Sequence, residues 1–239
     1  MAVGPEMGIP FSSDSYPYER IQSGFNRLRG SEKIPEKVLL YLLDLPDANG
    51  YFPQDDNRRP RVRLIKYLWY DGARPLGNPL PTPVEKLSMV FDGEEPVLNT
   101  QELREKHPKG YRIYPQRVWG QSDTEAGVTL KCYLGRTVAK DNFHTVFGLT
   151  FEILVNVNLE NTTRTDAYSR AYDIEQCIIE ALHGVNMTGI GVVDFSRYAH
   201  PDNGSDSIFD YGTHVGRRLK MSIEWCDSEM DVPAEEDTI

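Results

Sequence analysis

Three features of this 239-residue sequence predict an α+β domain, a mixed and mainly antiparallel β-sheet with helices packed on one face. Residues 147–159 place Phe147, Leu149, Phe151, Ile153, Val155, Val157 and Leu159 at every second position, the period of a strand. Residues 164–183 carry Ala167, Ala171, Ile174, Ile178 and Ala181 on one helical face, with Thr163 and Asp166 as a capping-box-like start and Gly184 as a left-handed stop. Residues 187–198 and 215–225 then read as two closing strands. Strand, helix, strand, strand is the order of one sheet with a helix laid on it.

The remaining elements follow along the chain. Residues 18–29, with Ile21, Phe25 and Leu28 on one side and Gly30 behind them, predict a first helix in an N-terminal arm that spans 1–34. Pro35 early and Pro46 late frame a second, apolar helix over 36–45. Residues 62–70 are expected as a strand. Ten of the sixteen prolines fall between Pro46 and Pro115 and none between Gln116 and His200, so the regular core is expected in the C-terminal part. Within that zone 71–110 reads as a proline-rich insertion holding at most one short helix near 100–107. Val128, Leu130, Cys132 and Leu134 alternate with polar neighbours and predict a strand that pairs with 147–159 as a long hairpin through a turn near 139–142. The loop 200–211 is polar and long enough to reach a neighbouring molecule. The domain is therefore bounded at 35–226, and 227–239 is a tail with six acids and no Lys or Arg.

Composition narrows the function. The charge of −10 and a mean hydropathy of −0.49 disfavour a membrane protein and a sequence-independent binder of nucleic acid, since phosphates demand positive charge. The longest apolar run, 38–43, is far short of a span. The N-terminus lacks a signal-peptide pattern, so a cytoplasmic site of assembly is expected and the Asn-x-Ser/Thr triplets at Asn161, Asn186 and Asn203 carry no weight. Cys132, Cys177 and Cys226 have no CxxC spacing and read as free thiols. The acidic tail reads as a solvated end or as a docking arm for a basic partner.

Chemistry-bearing motifs are sparse. A phosphate loop, a nucleophile elbow and a zinc helix are all missing from the sequence, and Gly189 and Gly191 lack the third glycine of a dinucleotide fingerprint. His107, His144, His183, His200 and His214 are scattered. Asp202, Asn203, Asp206 and Asp210 form one oxygen-rich cluster, but without the Gly and Glu positions of a calcium loop. No catalytic site, metal or cofactor is expected. The basic run Arg58, Arg59, Arg61, Arg63 and Lys66, followed by Tyr67, Trp69 and Tyr70, reads as an interface for an acidic protein surface, such as a neighbouring copy's tail, ahead of DNA.

The stretch FEILVNVNLENTTRTDAYSRAYDIEQCIIEALHGVNMTGIGVVDF, a loop, and RRLKMSIEW resembles the tail-terminator proteins of long-tailed bacteriophages in its order of long strand, turn, helix, Gly and two strands. The likeness covers 127–225, roughly 40% of the chain, and the proline-rich insertion looks like that of enlarged members in complex or contractile tails. The resemblance implies a structural, non-enzymatic virion protein of the tail or neck. It would form a hexameric ring that ends the tail tube and joins it to the head-tail connector. Its implied partners are further copies of itself, the tube protein, the sheath protein and the connector proteins, with DNA only passing through the lumen and no membrane. Another neck or head-completion ring, or an enzymatic or small-molecule-binding α+β domain, remain the alternatives. The residues expected at subunit or partner contacts are Arg58, Arg59, Arg61, Arg63, Phe147, Leu149, Asp202, Asp206, Phe209 and Tyr211.

Overall fold

The computed structural model describes residues 31–91, 100–116, 127–140, 144–162, 169–187, 190–210 and 213–226. The expected first helix over 18–29, the start signal Thr163 to Asp166, Tyr211 and the acidic tail lie outside these residues. Within them the helices are α1 (Ile34–Leu42), α2 (Pro60–Trp69), α3 (Pro83–Leu87), α4 (Thr100–Lys106), α5 (Val157–Thr162) and α6 (Arg170–Leu182). The strands are β1 (Ile113–Tyr114), β2 (Val128–Ala139), β3 (His144–Asn156), β4 (Asn186–Met187), β5 (Gly191–Asp194), β6 (Gly204–Asp210) and β7 (His214–Cys226). One sheet runs in the order β1, β2, β3, β7, β5, β4, with β6 also on β7. Every pairing is antiparallel except that of β1 with β2. The α+β class is as the sequence predicts.

The long strands form because their alternation has a core to face. Phe147, Leu149, Phe151, Ile153 and Val155 of β3 meet Leu219, Met221 and Ile223 of β7 and Val128, Leu130 and Cys132 of β2, all essentially sealed from solvent. Helices α1, α2 and α6 bring Val38, Leu64, Ile65, Ile174 and Ile178 onto the same face. The opposite face is polar: Glu152 accepts from Tyr133 Oη at 2.8 Å and from Arg218 Nη2 at 2.9 Å. Phe147 and Leu149, expected at subunit contacts, are thus corrected to core positions. Their alternation serves the chain's own helices.

Several expected boundaries move for local reasons. The segment 62–70 is a helix and not a strand. Pro60 opens α2, and Leu64–Trp69 is buried without a break, which alternation about a one-sided sheet does not produce. The strand expected to run to 159 stops at Asn156, whose side chain accepts from Asn158 N at 3.0 Å and starts α5. Helix α6 begins at Arg170, after Ser169 Oγ accepts from Tyr172 N, and ends before Gly184 in the left-handed region at φ +76°. The single strand expected over 187–198 is a hairpin. Ile190 N donates to Met187 O at 2.9 Å, and Gly191 turns at φ +110°, where an added Cβ would lie 2.1 Å from Glu224 O. The proline-rich insertion holds more than one helix: a Thr82–Glu85 capping box opens α3, α4 follows, and Met89 joins the core.

The loop expected over 200–211 is corrected most. Asp194 of β5 pairs with Ser222, and Gly204 of β6 pairs with Lys220, so β5 and β6 run in one direction along one edge of β7. Residues 195–203 are a detour that leaves this edge and returns to it. Asn203 Nδ2 closes the detour by donating to Asp194 O, Ser196 O and Ser222 Oγ at 3.1, 2.8 and 2.9 Å.

Candidate functional site

Three places gather the charged and exposed side chains: the start of α2, the junction of α6 with β6, and the outer edge of β6. At the first, the basic run is spent on internal partners. Arg61 reaches Asp44 at 2.7 Å and lies over the Tyr41 ring at 4.5 Å, and Arg59 lies 3.6 Å from the same carboxylate and hydrogen-bonds Tyr51 Oη. Arg63 is paired with Glu180 of α6, and buried Lys66 with Asp55 at 2.6 Å. Arg58 extends into solvent, its guanidinium on Asp56 at 3.0 Å. Lys86 also approaches this hub, donating to Asp44 O at 2.8 Å, and burial pushes its amine down to about 8. Four of the expected interface arginines therefore have internal carboxylate partners, and three of them knit α2 to α1 and α6.

The second place was not legible as a site. Glu175 of α6 is buried and takes Arg217 Nε at 2.9 Å; Ser205 Oγ donates to the same carboxylate. Arg217 also donates to Ser205 and Ser207 at 2.6 and 2.9 Å and stacks on Tyr172 at 4.3 Å. The pair fixes β7 to α6 in a largely dry setting and ties in β6 through Ser205 and Ser207, so losing one partner strands the other's charge. A comparable anchor is Arg170, fully buried, which donates to Tyr70 O and Gly72 O at 2.9 and 2.6 Å. Next to it burial works to raise the Asp71 carboxyl, yet two hydrogen bonds from Arg112 hold it below its usual value. The only sequence signal for these was an Arg and a Glu placed against the apolar stripe of α6.

At the third place β6 pairs with β7 on one side and, among the described residues, with nothing on the other. Asp206 and Phe209 are exposed there on opposite faces of the strand, Phe209 being 78% exposed, and Asp202 on the detour stands 3.9 Å from Arg136 of β2. A strand edge with free amides and carbonyls is able to pair with a further strand. No group of His, Cys, Asp and Glu among the described residues is arranged to hold a metal, and no helix among them is long and apolar enough to cross a membrane. Cys132 and Cys177 are buried free thiols, and burial pushes the Cys177 thiol up to about 11 against the opposing pull of Arg63.

His200 lies buried in the detour, its Nδ1 accepting from Asp202 N at 3.2 Å and its Nε2 sealed without a described partner. Burial lowers its pKa from the ordinary 6.5; Asp202 opposes this and Arg136 adds to it. The folded value lies below the unfolded one, so the unfolded chain takes up the proton first as the pH falls. The contribution of His200 to stability is therefore complete above about pH 6.5 and is lost through the acid range below it. Amide exchange in 195–203 is expected to quicken between pH 7 and pH 5 beyond its intrinsic pH dependence. His200→Gln should flatten that excess.

The family model named YomW matches residues 62–223, more than half of the chain. The chain belongs to the YomW family. No curated protein and no solved structure matches it. The YomW name is that of a phage-derived gene, which points to a phage-encoded protein. The span matched by YomW opens in α2 and closes in β7, so it takes in the sheet, the Glu175–Arg217 junction, the detour and the edge of β6. Helix α1, with Asp44 behind it, precedes the YomW span.

Proposed function

We propose that this YomW-family chain is a structural, non-catalytic virion protein whose copies form a ring, six-fold in the tail-terminator reading, that ends a phage tail tube and joins it to the head-tail connector. The observation that carries this reading is the outer edge of β6. It is tied to α6 through Ser205 on Glu175 and to Arg217 of β7 through Ser205 and Ser207, has no described partner on its far side, and bears exposed Phe209 and Asp206. An edge on one side of a subunit makes head-to-tail contacts, which close into a ring when the rotation between copies allows it. The partners are other copies, the tube protein, the sheath protein where one is present, and the connector; DNA passes through the lumen, and neither cofactor nor membrane takes part. The acidic balance of the chain suits a lumen through which DNA must slide without being held.

The test is assembly on its template. Wild-type chain mixed with tail tubes is expected to cap one tube end with a ring visible by electron microscopy. Phe209→Asp should leave the tubes bare while keeping the wild-type melting temperature, because that side chain is exposed. Wild-type protein that stays a 27.2 kDa monomer in the presence of tubes and touches no copy of itself would overturn the reading.

A further inference from the structure

The sequence holds two Asn-Gly pairs, Asn49–Gly50 and Asn203–Gly204. In such a pair no Cβ crowds the glycine nitrogen, which can therefore approach the side-chain carbonyl carbon of the asparagine before it. The fold treats the two pairs in opposite ways. Asn203 is buried, 2% exposed, and its Nδ2 is held by three acceptors, Asp194 O, Ser196 O and Ser222 Oγ. Asn49 lies exposed in the turn between α1 and α2, and its side-chain amide hydrogen-bonds no described residue. The Gly50 nitrogen donates to Asp47 O over a long 3.3 Å, and a Cβ added at Gly50 would meet nothing within 4 Å.

We propose that Asn49 is a self-modification site, deamidating in the folded protein to a mixture of aspartate and isoaspartate while Asn203 is preserved. Solvent hydroxide takes the Gly50 amide proton, and the nitrogen lone pair forms a bond to Asn49 Cγ. The Cγ–Nδ2 bond then breaks, and Nδ2 leaves as ammonia with a proton taken from water, which restores the hydroxide. Water opens the resulting succinimide. Addition at Cγ returns the ordinary peptide link and an aspartate; addition at the main-chain carbonyl leaves the chain running through the side chain, as isoaspartate. No atom is oxidised or reduced. Both steps need an amide free to turn and access for hydroxide and water, which the exposed turn provides. At Asn203 three hydrogen bonds must break and the detour must open first, so the rate there is scaled by the small fraction of opened molecules. Either product adds a negative charge to a loop whose Tyr51 donates to Asp44 at 2.7 Å and accepts from Arg59. Isoaspartate also lengthens the main chain inside the turn that Asp47 closes on Tyr51.

The test follows both pairs in the wild-type, full-length chain at mildly alkaline pH, either folded or unfolded in guanidinium chloride. Peptide mapping by mass spectrometry reads the amide-to-acid mass gain at each pair, and methylation by an isoaspartyl methyltransferase scores the isoaspartate. In the unfolded chain the two pairs are expected to react at similar rates. In the folded chain Asn49 is expected to stay within about tenfold of its unfolded rate, with Asn203 slowed at least about a hundredfold. Equal rates at the two pairs in the folded chain overturn the proposal. So does a folded Asn49 slowed as much as Asn203, or acid at position 49 without isoaspartate. The measurement does not depend on ring formation.

Discussion

Replacing Ile174 with aspartate is expected to abolish the cooperatively folded state. Ile174 is fully buried on α6, in the cluster that joins this helix to β3, β7 and α2. The change removes a buried aliphatic side chain, about 1.5–3 kcal/mol of apolar burial. It also forces a carboxylate into a site without a paired cation, which costs several kcal/mol more. Together these approach the 5–15 kcal/mol that holds a typical domain. On the same helix Gln176 is exposed and hydrogen-bonds Glu180 at 3.0 Å. Gln176→Lys is therefore expected to stay within about 0.5 kcal/mol of the parent. Thermal unfolding followed by circular dichroism compares the two. An Ile174→Asp chain that melts where the wild type does would refute the helix face.

Gly216→Val should be nearly as damaging, for a steric reason. Gly216 lies in β7 opposite Leu154 of β3 and Ile208 of β6, at the crossing of two ladders. A Cβ there would stand 1.8 Å from Ile153 O, and no side-chain rotation relieves contact with a backbone carbonyl. The strands must separate, giving up ladder hydrogen bonds on both sides, so a loss of at least about 3 kcal/mol is expected. Gly184 supplies the contrast, because an added Cβ meets nothing within 4 Å and only its φ of +76° resists substitution. Gly184→Ala is expected to cost about 1 kcal/mol. Denaturant titration of both variants ranks them, and the reverse order would refute the placement of Gly216 between two ladders.

What could be read from the residues depended on how far away their partners lie. The alternation in β2, β3 and β7 and the stripe on α6 are self-contained signals, and they led to the correct sheet and its covering helix. The segment 62–70 misled because a short run with almost every residue apolar fits a strand and a buried helix equally well. Only the packing of α2 between α1 and α6 decides it. Strand β6, with the sequence GSDSIFD, pairs through its backbone and carries few apolar side chains, so it looked like loop. Phe209, Asp202 and Asp206, expected at subunit or partner contacts, are exposed side chains in the structure. The arginines at 59, 61 and 63 looked free because Asp44 and Glu180 are distant in sequence. Proximity of that kind exists only after folding.

The way β5 breaks off and resumes as β6 has a bearing on variation. Residues 195–203 depart opposite Ser222 and return opposite Lys220, so both ends of the excursion are pinned to fixed rungs of β7. Its length is uncoupled from the register of the sheet. Doubling such a loop adds only about 0.6 kcal/mol of closure entropy. The excursion is therefore an exchangeable cassette: it can lengthen, shorten or accept a foreign peptide while the strands on either side keep their places. Change in the surface of this rim of the molecule can accumulate there without a new fold.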